Sequence, residues 1–139
     1  MAITPVKELV MRAKEEIETL SRDEVWRLSE AGEALVVDIR DPRELEREGK
    51  FPGALKAPRG MLEFWIDPES PYAKPQFQSG NRFVFYCGSG WRSALSAKAA
   101  HDMGLANVTH IDDGFGGWKK AQATHFGDGG VFDKIYKPR

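Results

Sequence analysis

The 139-residue chain has one cysteine and three histidines, and its charges nearly cancel, with 20 Lys plus Arg against 21 Asp plus Glu. One cysteine excludes an intrachain disulfide framework and a multi-cysteine zinc site. No spaced cluster of ligating side chains stands in for it, so neither a metal nor a cofactor is expected. A basic excess, the electrostatic footprint of a nucleic-acid binder, is missing, and so is a polybasic membrane anchor. Apolar runs stay far short of the roughly 20 residues that a membrane-spanning helix needs. The start, Met1 to Pro5, lacks a charged region followed by an apolar one, so no secretory leader is expected and the expected compartment is a reducing cytoplasm. There a lone thiol is either core packing or working chemistry. What is present is an ordinary soluble mix, 41% apolar and 29% charged, in a length that suits one domain.

Along the chain, helix and strand signals alternate. Thr4 as a cap and Pro5 at the first helical position open a helix to Glu16. Ile17 to Leu20 suits a short strand. Ser21 with Glu24 forms a capping box for a helix that stops at Gly32. Ala34 to Ile39 is a β-branched run and reads as a buried strand. Asp41-Pro42-Arg43-Glu44 is a second capping box, for a helix ending near Gly49. Ala54 to Ala57 is a weak strand, Gly60 to Ile66 a short helix, and residues 67–81 a surface loop. Phe83 to Cys87 is the strongest buried strand, followed by an Ala-rich helix over Arg92 to Met103 and a last strand over Val108 to Ile111. Gly114 to Trp118 is a tight turn into a short helix, and the segment from Gln122 is left unassigned. Phe64, Trp65 and Trp26 fall on helical faces and are expected in the core, with Phe115 and Trp118 as packing. The alternation predicts an α/β fold, a parallel sheet of about five strands with helices on both faces. Ligands of such sheets sit beyond the carboxyl ends of the strands. Cys87 lies there.

The loop Cys87-Gly88-Ser89-Gly90-Trp91-Arg92-Ser93 joins that strand to the next helix. Two glycines let the backbone curl, and curled backbone turns successive N–H groups inward as an anion nest. The loop then enters a helix N-terminus, which also favours negative charge. Arg92 adds a positive rim, and Ser89 and Ser93 add hydroxyls. Such surroundings favour thiolate over thiol, which makes Cys87 a candidate nucleophile.

At this point the sequence resembles the single-domain rhodaneses, a sulfurtransferase family. Cys87 to Ser93 fits the family's Cys-x-x-Gly-x-Arg-Ser loop. Asp38-Ile39-Arg40-Asp41-Pro42-Arg43-Glu44 fits its Asp-Val/Ile-Arg-x-x-x-Glu stretch. Gly49-Lys50-Phe51-Pro52-Gly53-Ala54 resembles its Gly-His-Ile-Pro-Gly-Ala segment, with Lys50 where histidine is usual. Asp113 to Trp118 fits its Gly-Gly-Phe-x-x-Trp segment with one change. The resemblance implies a rhodanese-like domain at 17–122, preceded by a helical extension at 1–16 and followed by a tail at 123–139.

It also implies a double displacement. Cys87 takes a sulfane sulfur from a donor such as thiosulfate, becomes a persulfide, and passes the sulfur to a thiol or cyanide. With no second cysteine, the acceptor or reductant comes from outside the chain, and a protein acceptor is one candidate. The alternatives are a phosphatase or arsenate reductase built on a similar loop, which the resemblance makes one residue longer, and a non-catalytic binding or sensing module. A protease needs a histidine base beside the thiol, and nothing in the sequence places His101, His110 or His125 there. Asp38 and Arg40 are supporting candidates, with Asp38 pairing with Arg92 or Arg40 either to orient the loop or simply to fix it structurally. Arg59 either lines the pocket mouth or is a solvated surface residue. Trp91 is either an exposed aromatic wall for a substrate or partner, the favoured reading beside Gly90 and Arg92, or a cap over the loop.

Overall fold

The computed structural model describes the backbone of residues 2–126 and the side chains of residues 2–120. The expected tail therefore lies largely outside the described residues.

Five parallel strands form one sheet. They are β1 (Glu18–Leu20), β2 (Ala34–Asp38), β3 (Leu55–Lys56), β4 (Arg82–Tyr86) and β5 (Val108–Ile111), in the order β1-β5-β4-β2-β3. The helices are α1 (Val6–Glu16), α2 (Arg22–Glu30), α3 (Pro42–Glu48), α4 (Leu62–Ile66), α5 (Trp91–Asp102) and α6 (Gly114–Phe126). From β2 the chain turns outward to β3, and from β4 it turns the other way to β5. A crevice opens where these directions diverge, between the carboxyl ends of β2 and β4. Register is tight there, with Val37 paired to Phe85 and Asp38 to Tyr86.

Alternation along the strands divides the core. Phe83, Phe85 and Cys87 face one side with Val37, Ile39, Leu62, Ile66 and Ala97. Val84 and Tyr86 face the other with Val36, Val25, Phe51, Phe115 and Trp118. Helices α4 and α5 thus cover the cysteine face, α2 and α6 the opposite one. The small side chains Ala97 and Ala100 let α5 lie close to the sheet, and α1 packs on its outer side, with Val10 and Ala13 against Ala94. Each large aromatic so buried contributes roughly 1.5–3 kcal/mol.

Both capping signals act at the helices they predict. The Ser21 hydroxyl accepts from Glu24 N at 3.2 Å. The Asp41 carboxylate accepts from Arg43 N at 2.8 Å, and the Glu44 carboxylate accepts back from Asp41 N at 3.3 Å. Four expectations need correction. Pro5, not Thr4, caps α1, and without a side-chain bond. The turn expected at Gly114 is already helical, and α6 runs for 13 residues. The loop at 67–81 contains a 3-10 turn over Pro75–Gln78, which buries Phe77 against Phe83. Phe64 is exposed and meets Tyr72 edge-on, because five-residue α4 is too short to bury every apolar side chain.

Candidate functional site

Cys87 follows β4 directly, in the middle of the sheet, and is almost wholly buried at 1% exposure. Its Sγ receives two backbone donors, Gly90 N at 3.1 Å and Ser93 N at 3.3 Å. The second belongs to the first turn of α5, where N–H groups lack intrahelical partners. The sulfur therefore sits between the inner wall of the loop and the positive end of a 12-residue helix.

The glycines make this geometry possible. Gly90 has φ 108°, and a Cβ there would collide with the Asp112 carbonyl oxygen. From below, the start of α6 takes up the loop carbonyls. Phe115 N donates to Cys87 O at 2.8 Å and Gly116 N to Gly88 O at 3.1 Å. A Cβ on Gly114 would lie 2.7 Å from Gly88 O, so this approach also requires glycine. Anchoring these carbonyls outward fixes the peptide planes of the loop. From the sequence Gly114 is expected in a turn and Phe115 in packing; their part in holding the cysteine loop comes only from the fold.

Arg92 stands in the first turn of α5, and its Nη2 lies 3.3 Å from where a Gly88 Cβ would be. Its guanidinium is gripped from across the crevice. Nη1 donates to Glu44 Oε1 at 2.7 Å and Nη2 to Glu44 Oε2 at 3.0 Å. This fork-to-fork pair holds the Glu44 carboxyl below the usual carboxylate range and Arg92 above its usual one, with the nearby Cys87 sulfur adding to the second shift. The capping box alone does not reveal this second role of Glu44. Its place in the Asp38-to-Glu44 stretch was the available signal.

Asp38 pairs with Arg40, not with Arg92. Arg40 Nη2 donates to Asp38 Oδ2 at 2.8 Å and to Gly49 O at 2.8 Å, and Arg40 Nε donates to Asp38 Oδ1 at 3.0 Å. The Tyr86 hydroxyl donates to Asp38 and accepts from Phe51 N at 3.0 Å. The guanidinium carbon of Arg40 lies 4.2 Å from the Phe115 ring centroid. Burial alone would lower the Arg40 pKa; the Asp38 bonds and charge outweigh it and hold it raised. Burial beside Asp38 pushes the Tyr86 phenol well up. This network lies on the opposite face of the sheet from Cys87 and braces the strand ends.

The remaining candidates separate clearly. Trp91 is 45% exposed and Ser89 is exposed, while Ser93 is buried and donates its hydroxyl to Gly90 O at 3.2 Å. Arg59 is not brought to the loop. It pairs with Glu63 at 2.7 Å and shares a cleft with Leu9, Arg12, Leu95 and Lys98 from α1 and α5. His101 is exposed; His110 is buried and lies 3.0 Å from Thr19 Oγ1, with no bond to Cys87. His125 lies outside the described side chains. Lys50, where the family resemblance gives histidine, donates to Ala54 O at 3.0 Å. Among the described residues no group of side chains is arranged to hold a metal ion, and no helix is long and apolar enough to cross a membrane.

Fold and site together define an α/β domain with a cysteine loop at the crevice of a parallel sheet. The chain matches the Rhodanese-like domain family over residues 21–121 and belongs to that family. It is 26% identical over 102 residues to the thiosulfate sulfurtransferase/rhodanese-like domain-containing protein 3 of Mus musculus, covering 70% of this chain and 63% of that protein. It is 28% identical over 94 residues to a sulfurtransferase of Allochromatium vinosum, covering 68% of this chain and 79% of that one. A solved structure from Rhodopseudomonas palustris CGA009, described as a protein of unknown function and possible tyrosine phosphatase, is 50% identical with a TM-score of 0.84, covering 95% of this chain and 96% of that one. The chain thus spans less than two thirds of the mouse protein, and 13% of each of two longer curated proteins that it matches over short segments.

Proposed function

We propose that this chain is a sulfurtransferase that carries sulfane sulfur on Cys87. The observation that carries the reading is the pair of backbone N–H groups, from Gly90 and Ser93, aimed at Sγ. The Cys87 thiolate attacks the outer sulfur of the donor, the donor's S–S bond breaks, and the leaving group departs with the electron pair. With thiosulfate, that leaving group is sulfite. The terminal sulfur of the resulting persulfide is held by the loop from Gly88 to Arg92. In the second step an external thiol or cyanide attacks that terminal sulfur, and Cys87 leaves as thiolate. A protein thiol is one such acceptor, and the reducing cytoplasm is the compartment that fits this chemistry. Trp91 forms the exposed wall beside the incoming molecule, and the Asp38–Arg40 pair braces the loop's neighbour without touching the sulfur.

The description of the Rhodopseudomonas structure makes phosphate-ester hydrolysis the competing reading. Two features favour sulfur. Only four residues separate Cys87 from Arg92, a tighter ring than a tetrahedral oxyanion needs. The Arg92 fork, which would bracket two phosphate oxygens, is already engaged by Glu44. The test is intact mass after incubation with a persulfide donor, with thiosulfate in parallel. The expected result is a gain of one sulfur, erased by a reducing thiol and absent in Cys87→Ala. Hydrolysis of p-nitrophenyl phosphate by a protein that gains no sulfur would overturn the proposal.

A further inference from the structure

Arg92 is the loop's one cation, and its half-exposed guanidinium stands beside the Cys87 loop. Both of its outer nitrogens are spent on Glu44, at 2.7 and 3.0 Å. Glu44 is fixed in turn, since its Oε1 also closes the capping box on Asp41 N. Two further cations, Arg40 and Lys119, are matched as well, while Lys50 donates to a backbone carbonyl, that of Ala54. Arg40 is paired with Asp38, and Lys119 lies 3.5 Å from Glu48. What the loop offers a donor is therefore a set of backbone dipoles beside a neutralised ion pair. Dipoles suit a small anionic sulfur, but they do not repay the desolvation of a dianion as an unopposed guanidinium would.

We propose that Glu44 sets the charge class of the sulfur donor. By engaging both prongs of Arg92, it turns the Cys87 site toward hydropersulfides, whose reacting S–S unit carries at most one negative charge, and away from the thiosulfate dianion. This rests on the sulfurtransferase reading and refines it. The Cys87 thiolate attacks the terminal sulfur of R–S–SH, the donor's S–S bond breaks, and RS⁻ leaves with the electron pair. The proton stays on the transferred sulfur, and no further oxidant or reductant is needed. Glu44 touches no reacting atom; it is a positioning residue that acts through Arg92.

The test compares kcat/KM for thiosulfate with kcat/KM for β-mercaptoethanol persulfide, a donor whose R group is uncharged. Glu44→Gln keeps an oxygen for Asp41 N and removes the charge. One unopposed positive charge a few ångströms from the donor's second negative charge corresponds to about tenfold. The thiosulfate-to-persulfide ratio should rise by about that factor in Glu44→Gln, and the gain should shrink with added salt. Glu44→Asp, which keeps the charge, should hold the ratio near that of the parent protein. Arg92→Gln leaves Glu44 unopposed and should lower the ratio. A merely structural role would slow both donors alike and leave the ratio where it was. If both donors load Cys87 and Glu44→Gln leaves the ratio unchanged, this inference is overturned while the sulfurtransferase reading stands. If neither donor loads Cys87 in the parent protein, both fall.

Discussion

Two arginine–carboxylate pairs flank the crevice, and they differ in everything but chemistry. Asp38–Arg40 is sealed, with both side chains at 0% exposure. Glu44–Arg92 is open, with Arg92 at 48% and Glu44 at 21%. The sealed pair joins residues two apart at one strand end and bonds the Tyr86 hydroxyl and the Gly49 carbonyl at the same time. The open pair joins two helices across the crevice and lies over the cysteine loop. A buried pair cannot lose a partner without stranding a charge, whereas an exposed one can lose a partner to solvent with little penalty. The structure places scaffold duty on the first and sets the second, already neutralised, beside the thiol, where its charge balance bears on a donor.

Breaking the sealed pair gives the largest expected effect. Asp38→Ala strands Arg40 and should destabilise the protein by about 3–5 kcal/mol in urea unfolding. A loss comparable to that of a surface mutation would mean that Arg40 finds another partner. Next is the loop itself. Gly90→Ala forces a side chain onto the Asp112 carbonyl, and such overpacking typically costs about 1–3 kcal/mol. Because the shift falls on the amide that meets Sγ, sulfur loading of Cys87 by intact mass should drop more than stability does. Tyr86→Phe removes a donor from Asp38 and the acceptor of Phe51 N, and buried groups left unsatisfied cost about 1–3 kcal/mol. Unfolding should report that loss, while sulfur loading of the folded protein should hold.

His110 extends the contrast to a buried group held by a threonine hydroxyl and not by a carboxylate. Burial pushes its pKa below the ordinary histidine range. The unfolded chain therefore takes up the proton first, near pH ~6.5. Stability should be full above that value and decline as pH falls toward the folded-state pKa, and His110→Gln should flatten this slope in unfolding measured against pH. The smallest stability effect belongs to the open pair. Glu44→Gln should change unfolding by less than about 1 kcal/mol, even as it shifts donor preference.

Much of this was legible in the sequence because local signals carry local structure. The run Phe83-Val84-Phe85-Tyr86 sets β4, the Ser21 and Asp41 caps set α2 and α3, and Gly90 marks the point where the loop must turn with positive φ. What escaped depends on partners distant in sequence. Glu44 and Arg92 are 48 residues apart, and a capping-box glutamate looks the same whether or not an arginine reaches it. Asp38 had two possible arginines, and only the strand geometry chose Arg40. Gly114 and Gly116 read as turn residues until the close approach to the carbonyls of Cys87 and Gly88 gave them a reason. Arg59 follows a strand that ends near the crevice, but the chain turns it toward α1 and α5.

On the proposed chemistry, the loop backbone holds the sulfur of Cys87 while the sealed network beneath stays still. Amide NMR of the protein before and after persulfide loading tests it directly. Large shifts are expected for the N–H groups from Gly88 to Ser93, led by Gly90 and Ser93, with Asp38, Arg40 and Phe51 nearly unmoved. Shifts spread evenly over both regions, or a loop that does not respond when Cys87 gains a sulfur, would contradict it.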